Sequence, residues 1–390
     1  MEIKIRQSDT LWYYSQLFDV PLVLIEQSNP RLEPQNLSVG NSIKIPGFIL
    51  KPHTIETNDT LWQISSQYNV PMDTLLLTNQ TIDSSNLENG STISIPIRVR
   101  EFLVQDVADY TYEKMIADIA RLSEIYPFFS KQTIGNSVMG KNLTELRIGF
   151  GTKRVHVNGA FHANEWITTS VIMKFLNEYL LALTNGTAIN GMNMLPLFME
   201  TFLSIVPMVN PDGVDLVLNG VPDDSLFAEQ VLEIVGQDKD FSEWKANING
   251  VDLNKQFPVL WEIESARSLE KPAPRDYPGP CPWSEPESKA IAELMKVRDF
   301  SRVHALHTQG QVIYWGLEGQ EIANEYARVS GYESIQDMDN YTGFTDWFIQ
   351  KYQRPGYTIE LGSGVTPLPI SQFDKIYEKS LGIFLANLYL

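Results

Sequence analysis

The sequence predicts an α/β protein in which a three-layer domain, a mixed sheet sandwiched between helices, follows two small β-α-α-β modules. Three observations predict it. The first is an internal repeat with an offset of 50 residues and no gap. Asp9-Thr10-Leu11-Trp12 returns as Asp59-Thr60-Leu61-Trp62, Val20-Pro21 as Val70-Pro71, Asn29 as Asn79 and Gly40 as Gly90, while Ile43-Lys44-Ile45-Pro46 returns as Ile93-Ser94-Ile95-Pro96. The second is a change of pattern over 101–390. There, apolar strand-like runs at 143–150, 154–159, 202–209, 302–306 and 356–361 alternate with long helical patterns at 165–183 and 286–298. The third is size. With 390 residues, 43% hydrophobic and 20% charged, the chain has a globular composition and room for two or three domains, one with a sizeable core.

Composition also excludes. The net charge is −18, with no long run of Lys or Arg, so the basic footprint of a nucleic-acid partner is missing and binding to anionic membrane is disfavoured. The single cysteine, Cys281, rules out an intrachain disulfide framework and lacks the pattern of a nucleophile with its base. The first residues, MEIKIRQSDTLWYYSQLF, contain no uninterrupted apolar core and no small-residue cleavage site. No stretch approaches the roughly 20 apolar residues of a membrane span. The expectation is a soluble, cytoplasmic protein.

Residues 1–47 and 50–97 are therefore two copies of one module. In the first, a short alternating run (Ile3, Ile5) ends at Asp9-Thr10, a good helix N-cap. Leu11, Tyr14 and Phe18 then recur at helical spacing. Val20 leaves the helix before Pro21, which suits the first turn of the next, and the Ile43/Ile45 strand closes the unit. The repeated Trp12 and Trp62 are read as module packing, and the other tryptophans as core. Beyond the modules, Tyr112, Ile116, Ile119 and Leu122 make an amphipathic helix that stops at Pro127. Ser284-Glu285-Pro286-Glu287 reads as a capping box with proline in the first turn. The polar, Pro-rich stretch 262–286 reads as a long surface loop of the kind that shapes a pocket.

With its D-T-L-W, V-P, Asn and G-x-x-I-x-I-P signatures in register, the repeat closely resembles the LysM module, a binder of N-acetylglucosamine-containing glycans. The resemblance implies a sugar groove between the loop at Asp9-Thr10 and the loop after Asn29, and likewise at Asp59-Thr60 and after Asn79. Caps and turns are the competing explanation for these six residues.

The chain has five histidines: His53, His156, His162, His304 and His307. His162-Ala163-Asn164-Glu165 follows a strand and opens a helix, so it can aim an imidazole and a carboxylate at one point, as a zinc site needs. Alone, such a pair is more often a surface coincidence. His307 sits just beyond the apolar run Val303 to Leu306, and strand carboxyl ends converge on the ligand crevice of an open α/β sheet. Two His and one Glu leave the fourth position of a zinc ion open for water, the catalytic arrangement. Glu360 ends a third strand-like run, where a carboxylate can act as general base, although an ordinary strand-end carboxylate is the simpler account. His156 and His304 read as strand residues without function.

The order His162/Glu165, Asn210-Pro211-Asp212-Gly213, Gly250-Val251-Asp252-Leu253-Asn254, Ser284-Glu285-Pro286-Glu287, His307-Thr308, Glu360 resembles the zinc carboxypeptidases of the carboxypeptidase A type. The resemblance covers essentially all of 101–390. It implies one zinc ion held by His162, Glu165 and His307, Glu360 as general base, and Asp252 as the carboxylate orienting the His162 ring. It also implies Asn254 at the substrate's terminal carboxylate and Tyr341 in the family's mobile tyrosine loop. The family has arginine where this chain has Lys255, which keeps the charge and loses the bidentate fork. Between Gly213 and Gly250 there is no arginine for the oxyanion, only Lys239 and Lys245; Lys245 is the candidate for that role.

Glycan-binding modules ahead of such a domain imply a substrate attached to glycan, brought near by effective concentration. The composite resembles the bacterial γ-D-glutamyl-diamino-acid endopeptidases, which cleave between D-glutamate and diaminopimelate or lysine in peptidoglycan stem peptides. Members without a signal peptide act in sporulation or in muropeptide turnover within the cell. Two other functions stay open: a general carboxypeptidase acting on ordinary C-terminal residues, and a non-catalytic cell-wall-binding protein.

Overall fold

The computed structural model describes residues 1–84, 86–236, 240–316, 318–337 and 342–390. The chain divides into two compact units. One holds Met1–Leu103 with Asp118–Ser130 and Asn177–Leu195; the other holds Val104–Ala117, Lys131–Leu176 and Pro196–Leu390.

In the first unit each repeat folds as expected. Strands Glu2–Lys4 and Ser42–Lys44 pair antiparallel around helices Leu11–Phe18 and Leu22–Ser28. Strands Phe48–Thr54 and Thr92–Arg98 pair around Leu61–Tyr68 and Met72–Thr78. Thr10 and Thr60 are the N-caps, accepting from the backbone N–H of Tyr13 and Gln63, and the second is a full capping box with Gln63. Leu11, Tyr14 and Phe18 are buried, as are Leu61 and Ile64. Trp12 and Trp62 correct the sequence reading: they are 64% and 70% exposed and pack into neither module. The cause is helical geometry, since each follows the buried leucine by one residue and so lies about 100° around the helix from the core face. The two copies are clasped together by Arg6, which donates to Asp9 of its own module at 3.0 Å and to Asp73 of the other at 2.7 Å; Tyr13 also donates to Asp73.

The second unit is built on an eight-stranded mixed sheet in the spatial order Glu333–Gln336, Val312–Trp315, Gly356–Leu361, Arg302–Thr308, Lys153–Asn158, Thr201–Val206, Asn142–Ile148, Ser130–Asn136. Four central neighbours, from Gly356–Leu361 to Thr201–Val206, run parallel. The chain leaves Lys153–Asn158 toward Thr201–Val206 on one side, whereas Arg302–Thr308 flanks it on the other. This makes a switch point, with a crevice at the strands' carboxyl ends. On one face Val303, Ala305 and Val206 pack against Ile291, Leu294 and Met295 of helix Pro286–Arg298 and against Phe344, Trp347 and Phe348 of helix Phe344–Tyr352. On the other, His304 meets Tyr326 of helix Gln320–Ser330. Helices on both faces give the expected three layers. No helix among the described residues is long and apolar enough to cross a membrane.

The remaining tryptophans divide. Trp166, Trp244, Trp315 and Trp347 are buried, while Trp261 and Trp283 are half-buried. In helix Tyr112–Ile125 the buried stripe is Met115, Ile119 and Leu122, with Tyr112 and Ile116 half-buried. The polar stretch that begins at 262 is not loop throughout, because Trp261–Arg267 is helical.

The capping box at Ser284 does not form. The Ser284 hydroxyl is taken by Gln256 and Glu285, and the N-cap is Glu285 without a side-chain bond. Glu287 is instead fully buried and accepts from the Val138 backbone N–H at 3.1 Å. Burial, with the nearby charges of Asp212 and Glu285, pushes its carboxyl up to about 8. A carboxyl whose pKa is higher folded than unfolded binds more protons in the native state, so this group favours folding most below about 4.5 and costs stability as pH rises toward 8. The Gln variant removes that ionisation. The melting temperature of Glu287→Gln relative to wild type is expected to climb by roughly 5–10 °C from pH 5 to pH 9. A difference that stays flat across that range would refute the assignment.

Candidate metal centre and active-site cleft

The strand Lys153–Asn158 delivers the chain to a single 3-10 turn, Ala163–Glu165, with His162 as its N-cap. This is tighter than the helix start expected, and it serves the pairing better: side chains three apart in a 3-10 turn eclipse one another. His162 Nδ1 lies 2.9 Å from Glu165 Oε1. His307, inside strand Arg302–Thr308, brings its own Nδ1 to 2.9 Å from Glu165 Oε2 and 3.2 Å from His162 Nδ1. All three residues are buried.

The donor set fits a zinc ion. Donor bonds of about 2.0–2.1 Å in a tetrahedron separate two donor atoms by about 3.3 Å, close to the 3.2 Å between the two Nδ1 atoms, and the Glu165 carboxylate presents one oxygen to each ring. With both Nδ1 atoms turned inward, His162 Nε2 faces Asp252 Oδ1 at 3.3 Å, which fixes ring orientation and tautomer. Asp252 is itself held, since it caps the turn Leu253–Gln256 by accepting from Asn254 N–H at 3.1 Å. His307 Nε2 is buried with no hydrogen-bond partner among the described residues. Asp252→Asn is expected to cost about 10–100-fold in metal affinity or turnover. Titrating the variant with a competing chelator checks this, and wild-type affinity would show that the carboxylate does not act on the ring.

The electrostatics follow from packing these charges together. Burial opposes the Glu165 charge, but His162 and His307 outweigh it and hold the carboxyl well below its ordinary range. Asp252 is depressed in the same way, burial being overcome by His162. Burial likewise opposes charge on His162, yet Glu165 and Asp252 push the ring up to about 9. For His307 burial prevails and lowers it.

Glu360 is the register partner of His307 on the adjacent parallel strand, so both side chains leave the same face of the sheet. Its Oε2 is buried without a hydrogen-bond partner among the described residues. Burial first, and the charge of Glu165 second, push it up to about 8.

The open side of this cluster is a cavity of about 400 Å³. His162, Lys245, Asp252 and Glu360 line one part of it. Asn254 and Lys255 line it too, but both are engaged: Asn254 Oδ1 accepts from Phe344 N–H at 3.0 Å, and Lys255 donates to Glu264. Lys245 has no ion pair among the described residues, and its backbone carbonyl accepts from Ala163 N–H at 3.0 Å, which ties it to the metal turn. Tyr341 and Lys239 lie outside the described residues.

Several lining residues escaped the sequence reading. Arg267 also lines the cleft, and its guanidinium bonds Glu264, at 2.8 Å from Nε and 2.7 Å from Nη2. Asp346, the third residue of helix Phe344–Tyr352, accepts from Gly343 N–H; burial, with the neighbouring charge of Asp337, pushes it up to about 7. The only sequence signal for Arg267 was its place in the Pro-rich stretch read as pocket-shaping.

The other histidines are structural, as expected. His156 bonds Ser204 at 3.0 Å and His304 bonds Tyr326 at 2.9 Å, and burial lowers each to about 3, so both stay neutral. In the modules, Asn29 and Asn79 each spend their amides on a helix carbonyl and on the closing strand, at Lys44 and Ser94. Asp9 accepts from Tyr14 and Arg6, and Asp59 from Glu56 N–H. All six residues therefore carry internal bonds.

Comparison with known proteins agrees with this geometry. Residues 115–381 match the zinc carboxypeptidase family, and residues 3–46 and 53–96 match the LysM domain. The chain is 57% identical over 396 aligned residues, spanning 100% of both proteins, to "Gamma-D-glutamyl-L-diamino acid endopeptidase 1" of Lysinibacillus sphaericus. It is 46% identical over 282 residues, 70% of this chain and 75% of the other, to the uncharacterised protein YqgT of Bacillus subtilis (strain 168). Among solved structures, bovine thrombin-activatable fibrinolysis inhibitor in complex with tick carboxypeptidase inhibitor matches with TM-score 0.55 and 18% identity, over 74% of this chain and 96% of that one. Carboxypeptidase A from Helicoverpa armigera matches with TM-score 0.51 and 19% identity, over 84% and 81%.

Proposed function

Because this chain belongs to the zinc carboxypeptidase family and carries two LysM domains, we propose that it hydrolyses the bond between the γ-carboxyl of D-glutamate and a diamino acid in peptidoglycan stem peptides. The observation that carries the reading is the full-length 57% identity to an endopeptidase named for that bond, modules included. The cleft supports it as well. Asp337 and Asp346 line it, two carboxylates suited to the second amino group of a diamino residue. The proposed layout is LysM modules at 1–47 and 50–97, which bind glycan and raise local substrate concentration, and a catalytic domain at 101–390.

In this reading the metal is zinc, one ion held by His162, Glu165 and His307, and it supplies Lewis-acid polarisation of the scissile carbonyl and an acidified water. Glu360 takes the proton of the attacking water and returns it to the leaving amine of the diamino residue. Lys245 faces the oxyanion of the tetrahedral intermediate. Asn254 and Lys255, with Arg267, hold the carboxylate beside the new amine, and Tyr341 is the proposed lid. The proposed setting is muropeptide turnover or sporulation in the cytoplasm, which fractionation of sporulating cells checks.

The test is product mapping by mass spectrometry on purified tri- and tetrapeptide muropeptides, set against ordinary C-terminal dipeptides. Release of the diamino residue with its C-terminal neighbours, leaving L-Ala-D-Glu on the sugar, is the expected result. Turnover of ordinary dipeptides alone would replace the reading with a general carboxypeptidase, and turnover of neither substrate class would favour a wall-binding protein without catalysis.

A further inference from the structure

A smaller recess of about 170 Å³ meets the main cleft at Lys245, which lines both. Its other walls include Glu165, Thr308, Thr366 and Arg275. Arg275 reaches this place by backbone pairing. Lys245 and Ala246 N–H both donate to Pro274 O, at 2.8 and 2.9 Å, and Asp252 N–H donates to Tyr277 O at 2.7 Å. The segment 274–277 is thus fastened to the very stretch that carries Lys245 and the carboxylate behind His162.

Between those anchors Asp276 adopts a left-handed φ of 65°. The two neighbouring side chains then serve different cavities, Asp276 lining the main cleft and Arg275 the recess. Arg275 is only loosely paired with Asp276, at 3.2 Å, and both side chains are about half exposed (53% and 47%). An exposed pair of this kind is worth little, so the guanidinium is available to a better anion.

The anion follows from the chemistry of the bond, and the inference rests on the function proposed above. The main cleft takes the amine side of the scissile bond. The acyl side must then lie beyond the metal cluster, where Glu165 and Thr308 border the recess. In a γ-glutamyl bond the acyl side bears a free α-carboxylate three carbons from the scissile carbonyl. In an ordinary α-linked peptide no charge stands there. We infer that Arg275 binds this α-carboxylate, and that the contact selects γ-linked glutamyl substrates. A planar fork suits a carboxylate bidentately, and the Thr308 and Thr366 hydroxyls stand on the same recess.

The experiment compares two N-acylated dipeptides with the same C-terminal diamino acid. One carries γ-linked D-glutamate; the other carries γ-aminobutyrate, which keeps the chain length and lacks only the α-carboxylate. Wild type is expected to favour the glutamyl substrate about 10–100-fold in kcat/KM, chiefly through KM. Arg275→Gln is expected to treat the two alike within about 3-fold, with Arg275→Lys in between. Persistence of the preference in Arg275→Gln overturns the inference. So does an equal loss of kcat on both substrates, the pattern of a group acting on the oxyanion. A wild type that cleaves both dipeptides equally overturns it while leaving the γ-glutamyl activity standing. A wild type that cleaves neither, yet trims ordinary dipeptides, removes the inference and the proposed function together.

Discussion

Glu360→Gln is expected to lower kcat by about 10²–10⁴-fold while leaving metal content and KM close to wild type. The amide has the carboxylate's shape and can occupy the same place beside His307, but it cannot accept the water's proton. The structure isolates that single loss. Glu360 Oε2 has no hydrogen-bond partner among the described residues, so no internal bond is broken by the exchange. Glu360 also lies one strand away from the ligand His307 and outside the donor set itself. Its raised pKa reflects burial and then the charge of Glu165. A cation at the ligand set offsets that second repulsion, so holoenzyme is the form to assay. Steady-state kinetics and metal analysis on the same preparation give the result, and a variant within about threefold of wild type would move the base elsewhere.

What could be read from the sequence was what local pattern encodes. His162-Ala163-Asn164-Glu165, His307 and Glu360 each stand at or beside the carboxyl end of an apolar run, and parallel strands bring such ends to one edge of the sheet, where the pairing of His307 with Glu360 sets both on one face. Only the local geometry differed, a 3-10 turn in place of a helix start. The repeat was legible because a gapless offset preserves every cap and strand. Trp12 and Trp62 were legible too, for they fall off the Leu11-Tyr14-Phe18 stripe, and repetition of the position obscured their exposure.

Other parts had no local signature. Strands Val312–Trp315 and Glu333–Gln336 are four residues each, too short to display a period. Ser130–Asn136 reads SKQTIGN, largely polar, because it lies at the sheet's edge. Arg267 and Arg275 sit in a stretch with no periodicity, and what places Arg275 is the hydrogen bonding of 273–277 along 245–252. Such pairing is non-local, and no count of spacings finds it.

His307→Ala is expected to abolish both turnover and the thermal response to zinc. The ring supplies one of three protein donors, and no other described residue joins His162 and Glu165 in a ligand group. Loss of the ring leaves two donors and a buried carboxylate facing one partner fewer. An ion that binds the native state and not the unfolded one stabilises by about 4 kcal/mol at a free concentration 1,000 times its dissociation constant, which is on the order of 10 °C in melting temperature for a domain of this size. Wild type stripped by chelation should regain that increment, with activity, when zinc is restored. The variant should show neither. His304→Ala is the control: it removes a buried imidazole of the same strand from the opposite face, where Tyr326 is its partner, and so separates general loss of packing from loss of the ion. It should melt lower at every zinc concentration yet keep the zinc-dependent rise. A rise that survives in His307→Ala, or vanishes equally in His304→Ala, would mean that the ion is held by some other set of atoms.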